Sequence, residues 1–330
     1  MTMDFDYPVS DCDVRVTERP RLEKFRERLG VWRVWLSKDE HSIWGQIHGM
    51  LWNDIVFRTI NECRRISQEN PSPNVGFNSA VASFIDQSYA ANQLLAIRRL
   101  TETNGRADAI TLPRLLDDMK ANADLFTREI YVCHDGLPFD PEPARQQSLT
   151  RLAAETEENN GVTPTHLSAK GPHAYDTATL VHEHFDVLIG ADGRPWCRDD
   201  KLDPAIFDKL KSKLGACAGI NKIASKFIAH AADSGSRGKL SDRERNVTLS
   251  RIEACHRIIC RVAAYINGPL LYIGDSGLIP TPQFDHLEHL DRGWVDPANT
   301  DAIARYWEKR AEKVEKWTDG DWDKLLKLPG

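Results

Sequence analysis

Residues 221–237 read Asn221-Lys-Ile-Ala-Ser-Lys-Phe-Ile-Ala-His-Ala-Ala-Asp-Ser-Gly-Ser-Arg237, and this stretch decides the fold class. At about 100° per residue, Lys222, Lys226, His230 and Asp233 fall within an arc of roughly 80°. That arc borders an apolar face made of Phe207, Leu210, Leu214, Cys217, Ala224 and Phe227. The pattern predicts one long amphipathic helix with a polar stripe along the edge of its apolar face.

Helix start signals flank this stretch and recur along the chain. Asp203-Pro204 is an N-cap followed by proline, which predicts a helix from there to about Ala232. Capping boxes at Ser37-Lys-Asp-Glu40 and Ser241-Asp-Arg-Glu244 predict two more helices, and Thr111 with Pro113 predicts another that runs towards Ile130. Apolar spacing predicts helices near 77–103, 144–157, 175–188 and 300–317. Because no stretch sustains the alternation of a β-strand, the sequence predicts an all-α, long-helix bundle.

The predicted organisation has three parts. Residues 1–36 form an N-terminal arm with a short helix, residues 37–272 form the helical bundle, and residues 273–330 form a C-terminal loop and helix. Within the bundle, residues 134–174 contain five prolines and three glycines. This composition predicts a loop-rich insertion with at most a short helix at 144–157.

Composition narrows the class of function. The net charge of −6 gives no general attraction to nucleic acid or to an anionic membrane, so such a contact requires a local basic patch, best represented by Arg15–Arg33. Seven scattered cysteines without a Cys-x-x-Cys motif favour a reducing compartment over a disulfide framework or a zinc site. No apolar run reaches the length of a membrane span, and the N-terminus lacks a signal core. The chain is predicted to be cytoplasmic.

The polar stripe is the first candidate site. His230 can move a proton because an imidazole titrates near neutral pH, and Lys222, Lys226 and Asp233 place further charges beside it. In the alternative interpretation, His230 packs against the core with a satisfied hydrogen bond while the lysines extend into solvent.

Arg98 and Arg99 are the second candidate. The face of their helix that is expected to point to the core comprises Val81, Phe84, Ser88, Ala91 and Leu95. Both arginines lie within that arc, where guanidinium groups need carboxylate partners or an anionic ligand. The alternative to a ligand is a structural ion pair with Asp117 or Asp118 on the next helix.

Metal binding is the weakest of the candidate chemistries. His286 and His289 have i,i+3 spacing, and Asp285 or Glu288 would supply oxygen ligands if the segment were helical. That segment is flanked by prolines, and the chain has no phosphate-binding glycine loop, no Gly-x-Ser-x-Gly and no His-Glu-x-x-His. The preferred prediction is therefore that no metal and no cofactor is used.

Three segments carry a resemblance to a known family. They are Leu95-Ala-Ile-Arg-Arg-Leu100, Ile110-Thr-Leu-Pro-Arg-Leu-Leu-Asp-Asp118 and Lys226-Phe-Ile-Ala-His-Ala-Ala-Asp233. Together they resemble the HEPN-like helical proteins, and within them the abortive-infection (AbiU-type) group of bacteria and plasmids. The resemblance covers about residues 37–130 and 175–270. It implies a HEPN-like bundle, a homodimer with its sites at the seam, and a role in antiviral defence.

Members of this family cut RNA without a metal, using an arginine followed after four to six residues by a histidine. No arginine stands at the required positions before His230, which hold Ile223, Ala224 and Ser225. Arg128…His134 and Arg251…His256 have suitable spacing, as two or three such pairs would by chance in this composition.

The resemblance implies a site made of Arg98, Arg99, Lys226, His230 and Asp233 that binds or cleaves RNA or holds another anionic ligand. The tryptophans Trp32, Trp35, Trp44 and Trp52 are expected to contribute apolar area to the dimer. The rival interpretation is a non-catalytic helical binding or assembly module, in which Asp117, Asp118 or Asp233 neutralises the arginine pair.

Overall fold

The structure is a computed structural model, and it describes most of the chain. The described residues are 5–71, 76, 78–103, 108–158, 161, 175–191, 193–229, 235, 238, 241, 246–274, 277–290, 292 and 300–315. His230 and Asp233, which belong to the predicted site, lie outside these ranges. The chain divides into two compact units, one that ends at Pro280 and one that begins at Thr281.

The described part of the chain is helical, as the sequence predicts, and contains one isolated β-bridge, between Thr127 and Lys201. The α-helices are α1 (Arg19–Arg33), α2 (Ile43–Glu69), α3 (Ser79–Thr101), α4 (Leu112–Ala121), α5 (Arg128–Cys133), α6 (Pro141–Glu158), α7 (Tyr175–Ile189), α8 (Ala205–Leu214), α9 (Ala218–Ile223), α10 (Leu249–Tyr265) and α11 (Thr300–Glu315). None of the helices in the described ranges combines the length and hydrophobicity needed to cross a bilayer.

Helix α3 occupies the centre of the first unit and packs against α2, α4, α9 and α10. Its buried face differs from the predicted one. Phe84, which was expected to face the core, is 71% exposed, and the core-facing residues are Tyr89, Gln93, Leu94, Ile97, Leu100 and Thr101. The predicted face followed the spacing of other residues along the helix, whereas Gln93 and Thr101 are buried and their side chains make hydrogen bonds inside the bundle.

Several helix boundaries follow the predicted caps and others do not. The Thr111 hydroxyl accepts from the Arg114 N–H, and the Asp203 carboxylate accepts from the Ala205 N–H, so both predicted starts are confirmed. Helix α2 begins instead after Ser42, because residues 34–38 form a π-helical turn that extends α1 through Ser37. The N-cap of α10 is Thr248 and not Ser241.

Two helical regions were predicted with the wrong continuity. The helix from Thr111 ends at Ala121, and α5 is a separate element. The long helix from Asp203 contains a 3₁₀ turn at Gly215–Cys217 and a π-helical turn at Ala224–Ala229. Because these turns depart from 100° per residue, Lys222 and Lys226 do not keep the spacing around the axis that an ideal α-helix would give them.

The predicted N-terminal arm is an integral part of the first unit. Leu22, Phe25, Leu29 and Trp32 of α1 are buried in the same core as the bundle helices. Within the predicted insertion, the helix expected at 144–157 is present as α6, which occupies Pro141–Glu158 and packs on α7. Within the second unit, α11 exposes Ile303, Tyr306 and Trp307.

The segment before α1 docks on the loop after α5. The Asp135 carboxylate accepts from the Asp6 and Tyr7 N–H groups, at 2.9 and 3.4 Å. Gly136 has φ +85°, and a Cβ atom there would lie 2.3 Å from Cδ2 of the Tyr7 ring. Gly136 is therefore required both by its backbone conformation and by the close approach of Tyr7.

Gly136→Ala should destabilise the protein by about 1 to 3 kcal/mol, because the backbone strain adds to a clash with the Tyr7 ring. Gly49→Ala is the control, since nothing lies within 4 Å of a Cβ at that exposed position in α2. This control should stabilise the protein by about 0.5 to 1 kcal/mol. Urea unfolding of the two variants measures both changes, and an unaltered midpoint for Gly136→Ala would contradict the docking described here.

Candidate functional site

The two arginines of α3 point in different directions. Thr101 faces α9, because its hydroxyl and the Asn221 side chain exchange hydrogen bonds at 3.0 and 3.2 Å. At about 100° per residue, Arg98 lies about 60° from Thr101 around the helix and Arg99 about 160° away. Arg98 is therefore on the flank beside α9, whereas Arg99 is exposed on the opposite side.

Arg98 is partly buried and is paired within its own helix. Its Nη2 lies 2.9 Å from Oε1 of Glu102, and the two side chains are 19% and 34% exposed. The predicted ion pair with the next helix is wrong. Asp117 binds Lys211 at 2.7 Å, and Asp118 binds Arg28 and the Trp32 indole N–H, each at 2.8 Å.

The segment after Asn221 places further basic residues beside α3. Helix α3 packs against α9 and against the π-helical turn 224–229. Lys222 is exposed and Lys226 is half-buried on these elements. This packing brings Arg98 and Lys226 to adjacent elements. His230 and Asp233 follow directly in the sequence but lie outside the described residues.

A buried polar cluster at the junction of α2, α3 and α10 was not predicted. Gln93 is fully buried; its Oε1 accepts from Nε2 of His256 at 2.8 Å, and its amide donates to the Met50 carbonyl at 3.0 Å. Beside it, the Tyr89 hydroxyl donates to Asp54 at 2.5 Å, and Arg58 donates to the other Asp54 oxygen at 2.8 Å. These hydrogen bonds link side chains and carbonyl groups of the three helices and so fix how the helices pack against one another.

Arg251 and His256 do not form a catalytic pair. Burial lowers the pKa of His256 against the opposing effect of the Asp54 charge, so the imidazole is neutral at pH 7 and its Nε2–H is donated to Gln93. The Arg251 guanidinium lies instead beside Gly219 of α9 and donates to the Asn246 carbonyl. The suitable spacing in the sequence therefore does not bring the two groups together.

Arg128 and His134 also have structural roles. Arg128 is completely buried and donates to Asp200 at 2.8 Å and to Asp186 at 2.5 Å. His134 contacts the edge of the Phe25 ring, and burial lowers its pKa to about 4. This arginine is therefore not accessible to a substrate.

The basic run Arg15–Arg33 is largely engaged inside the protein. Arg15 binds Glu129 and Asp199, Arg21 binds Glu18, and Arg28 binds Asp118. Arg26 donates to the His134 carbonyl at 2.8 Å. Three arginines of the best sequence candidate for a local basic patch are therefore paired with carboxylates, and Arg26 is held by a carbonyl group inside the protein.

The candidate metal ligands do not converge on a common site. His289 lies 3.1 Å from Glu288 in a series of turns, and His286 belongs to the same exposed segment. Among the residues that the structure describes, no group of three or more histidine, cysteine or acidic side chains is arranged to hold a metal ion.

His182 is a fully buried histidine in α7. Its ring stacks on Trp196 with centroids 4.0 Å apart, and its Nε2–H donates to the Phe139 carbonyl at 2.8 Å. Burial lowers its pKa to about 4, and the positive charge of Arg128 acts in the same direction. No hydrogen-bond partner for its Nδ1 is found among the described residues.

The depressed pKa of His182 predicts an acid-sensitive fold. An unfolded histidine binds a proton below about pH 6.5, whereas the folded one does so only near pH 4, so the unfolded state holds more protons between these values. The contribution of His182 to stability should therefore be complete above about pH 6.5, and up to about 3 kcal/mol of it should be lost as the pH decreases to 4.

Urea unfolding at several pH values measures this loss. His182→Gln should reduce the pH dependence, because glutamine can still donate to Phe139 but does not titrate in this range. The exposed His41 is the matched control, and His41→Gln should leave the pH dependence unchanged. An identical acid slope in His182→Gln and the parent protein would count against the role of this histidine.

Known proteins provide no further assignment: no protein-family model, curated protein or solved structure matches the chain significantly.

Proposed function

We propose that this chain is a HEPN-like protein of bacterial phage defence that binds RNA along a basic edge between α3 and the segment 218–229. The packing of α3 against this segment supports the proposal, because it brings Arg98 and Lys226 to neighbouring elements from positions 128 residues apart. The exposed Lys222 adds a third positive charge on α9. Lysine and arginine side chains held in this way can contact successive phosphates of a single strand.

Arg98 can exchange its present partner for a phosphate. Its pairing with Glu102 is an i,i+4 contact at the surface of one helix, and such pairs contribute about 0.3 to 0.5 kcal/mol. Arg99 points away from this edge, so the proposed contact involves one arginine of the pair and not both.

Catalysis in this proposal depends on His230. The Arg251…His256 pair is separated and the imidazole of His256 is buried, which leaves His230 as the histidine adjacent in sequence to the basic edge. If His230 transfers a proton, the arginine and lysines hold the phosphodiester while it reacts, a division of roles suited to cleavage without a metal.

Fluorescence anisotropy with a labelled single-stranded RNA tests the binding site. Arg98→Gln combined with Lys226→Gln removes two phosphate contacts. The negative slope of log K against the logarithm of the salt concentration should therefore become shallower by about 1.4, or about 0.7 for each contact. Affinity at low salt should fall at least tenfold. Lys24→Gln with Lys38→Gln changes the net charge equally at exposed positions outside the edge and should leave affinity within about twofold.

The same RNA separates cleavage from binding. Loss of RNA cleavage in His230→Ala, with affinity retained, would support an enzyme. Binding without cleavage in both His230→Ala and the parent protein would support the non-catalytic binding module instead. Equal weakening by the Arg98/Lys226 and Lys24/Lys38 pairs would contradict a local site on the α3 edge.

We also expect a homodimer, as the family resemblance implies, but with a different apolar contribution from the one first predicted. Trp32 and Trp44 are buried in the core of one chain and are not available to a partner, whereas Trp35 and Trp52 are partly exposed. Light scattering at micromolar concentration should give twice the chain mass of 37.4 kDa. A stable mass of one chain would contradict the dimer and weaken the assignment of a site at a two-fold seam.

A further inference from the structure

An exposed phenylalanine follows directly after one of the cations of the basic edge. Phe227 comes next to Lys226 in the π-helical turn 224–229, which packs against α3, the helix that carries Arg98. Phe227 is 43% exposed, although the sequence predicts it on the apolar face with Ala224. The turn therefore presents a lysine and an aromatic ring at consecutive positions, and solvent reaches both side chains.

The π-helical turn accounts for the exposure of this ring. In an α-helix, Phe227 would lie one turn after Ile223 and Ala224, in the middle of the face that they form. Both of those residues are buried, so an unbroken α-helix would direct Phe227 towards the core as well. A π-helical turn holds more residues per turn and moves Phe227 from the middle of that face towards its edge.

The surroundings of Phe227 distinguish it from another exposed phenylalanine, Phe84. That residue is on the same helix as Arg98 but lies about 21 Å from it along the axis, at 1.5 Å per residue. No lysine or arginine lies within four residues of Phe84 in the sequence. A single exposed apolar side chain needs no explanation, whereas an aromatic ring among cations is the combination that sites for single-stranded nucleic acid use.

We propose that Phe227 stacks against a base of the bound RNA, so that the site takes RNA with unpaired bases and discriminates against duplex RNA. This inference rests on the proposed RNA binding and specifies its substrate. In a duplex, each base is stacked between its neighbours and its face is closed to a side chain. An unpaired base can turn outwards and stack on an aromatic ring, while Lys226 holds an adjacent phosphate.

Stacking and phosphate binding differ in their dependence on salt. A cation that contacts a phosphate releases counterions from the RNA, so its removal makes the salt dependence of the affinity shallower. An uncharged ring releases none of these counterions. The loss of stacking should therefore weaken binding by the same factor at every salt concentration, and this separates the role of Phe227 from the roles of Arg98 and Lys226.

Fluorescence anisotropy of the full chain with a labelled single strand of mixed sequence tests the ring. Phe227→Leu keeps an apolar side chain but removes the ring, so affinity should fall about 5- to 150-fold with an unchanged salt slope. Phe227→Tyr keeps the ring and should bind within about twofold of the parent, as should the matched control Phe84→Leu. Full affinity in Phe227→Leu, with weakened binding in Arg98→Gln/Lys226→Gln, would overturn the stacking and leave the proposed function standing.

Two changes to the RNA test the same contact without any protein variant. An abasic strand of equal length keeps the phosphates and lacks the bases, so the parent should bind it about 5- to 150-fold more weakly with the same salt slope. The labelled strand annealed to its complement should also bind more weakly than the single strand. Equal affinity for the abasic and normal strands, or tighter binding of the duplex, would overturn the stacking. Binding to none of the three RNAs would overturn both the stacking and the proposed function.

Discussion

The burial of two opposite charges at consecutive positions constrains the whole first unit. Arg128 and Glu129 both have side chains that are 0% exposed. Removing these charges from water is costly unless every donor and acceptor is matched. Arg128 is matched by Asp186, Asp200 and the His182 carbonyl. Glu129 accepts from Arg15 and Arg198.

These partners come from segments that are distant in the sequence. Arg15 precedes α1, Asp186 belongs to α7, and Asp200 follows it in the loop before α8. Because an unmatched charge at Arg128 or Glu129 would remain buried, the N-terminal segment, α7 and this loop must all be in place together. The network therefore specifies one arrangement, which apolar packing alone would fix less strictly.

This network also determines where the candidate site begins. Two residues after Asp200, the Leu202 N–H donates to the Phe126 carbonyl, and Asp203 then caps α8. The start of the helical run from α8 through α9 is thereby held in one position, and from there the run extends to its contact with α3. That start determines the contact between Thr101 and Asn221, and it determines the position of Lys222 and Lys226.

The sequence predicted the helices better than the faces they bury. Caps at Thr111 and Asp203 are local signals, since donor and acceptor lie within three residues, and both were identified. The face of α3 depends on Gln93, which is buried because His256 is opposite it, 163 residues later. The spacing of apolar residues along one helix cannot reveal such a pair. Phe84 was therefore assigned to the core, and the buried polar cluster was missed. The assignment of a catalytic role to His230 and Asp233 stays a prediction.

The position of the arginines shows why charge in a sequence does not translate directly into a binding site. Of the basic residues from Arg15 to Arg33, Arg15, Arg21 and Arg28 are paired with carboxylates, and two more, Arg19 and Arg26, donate to carbonyl groups. With a net charge of −6, the chain has no excess of positive field to attract RNA at a distance. RNA must therefore be attracted by individual cationic side chains whose present ion pair is weak. Arg98, paired with Glu102 of its own helix, meets that condition, and Arg128, held by two carboxylates in the core, does not.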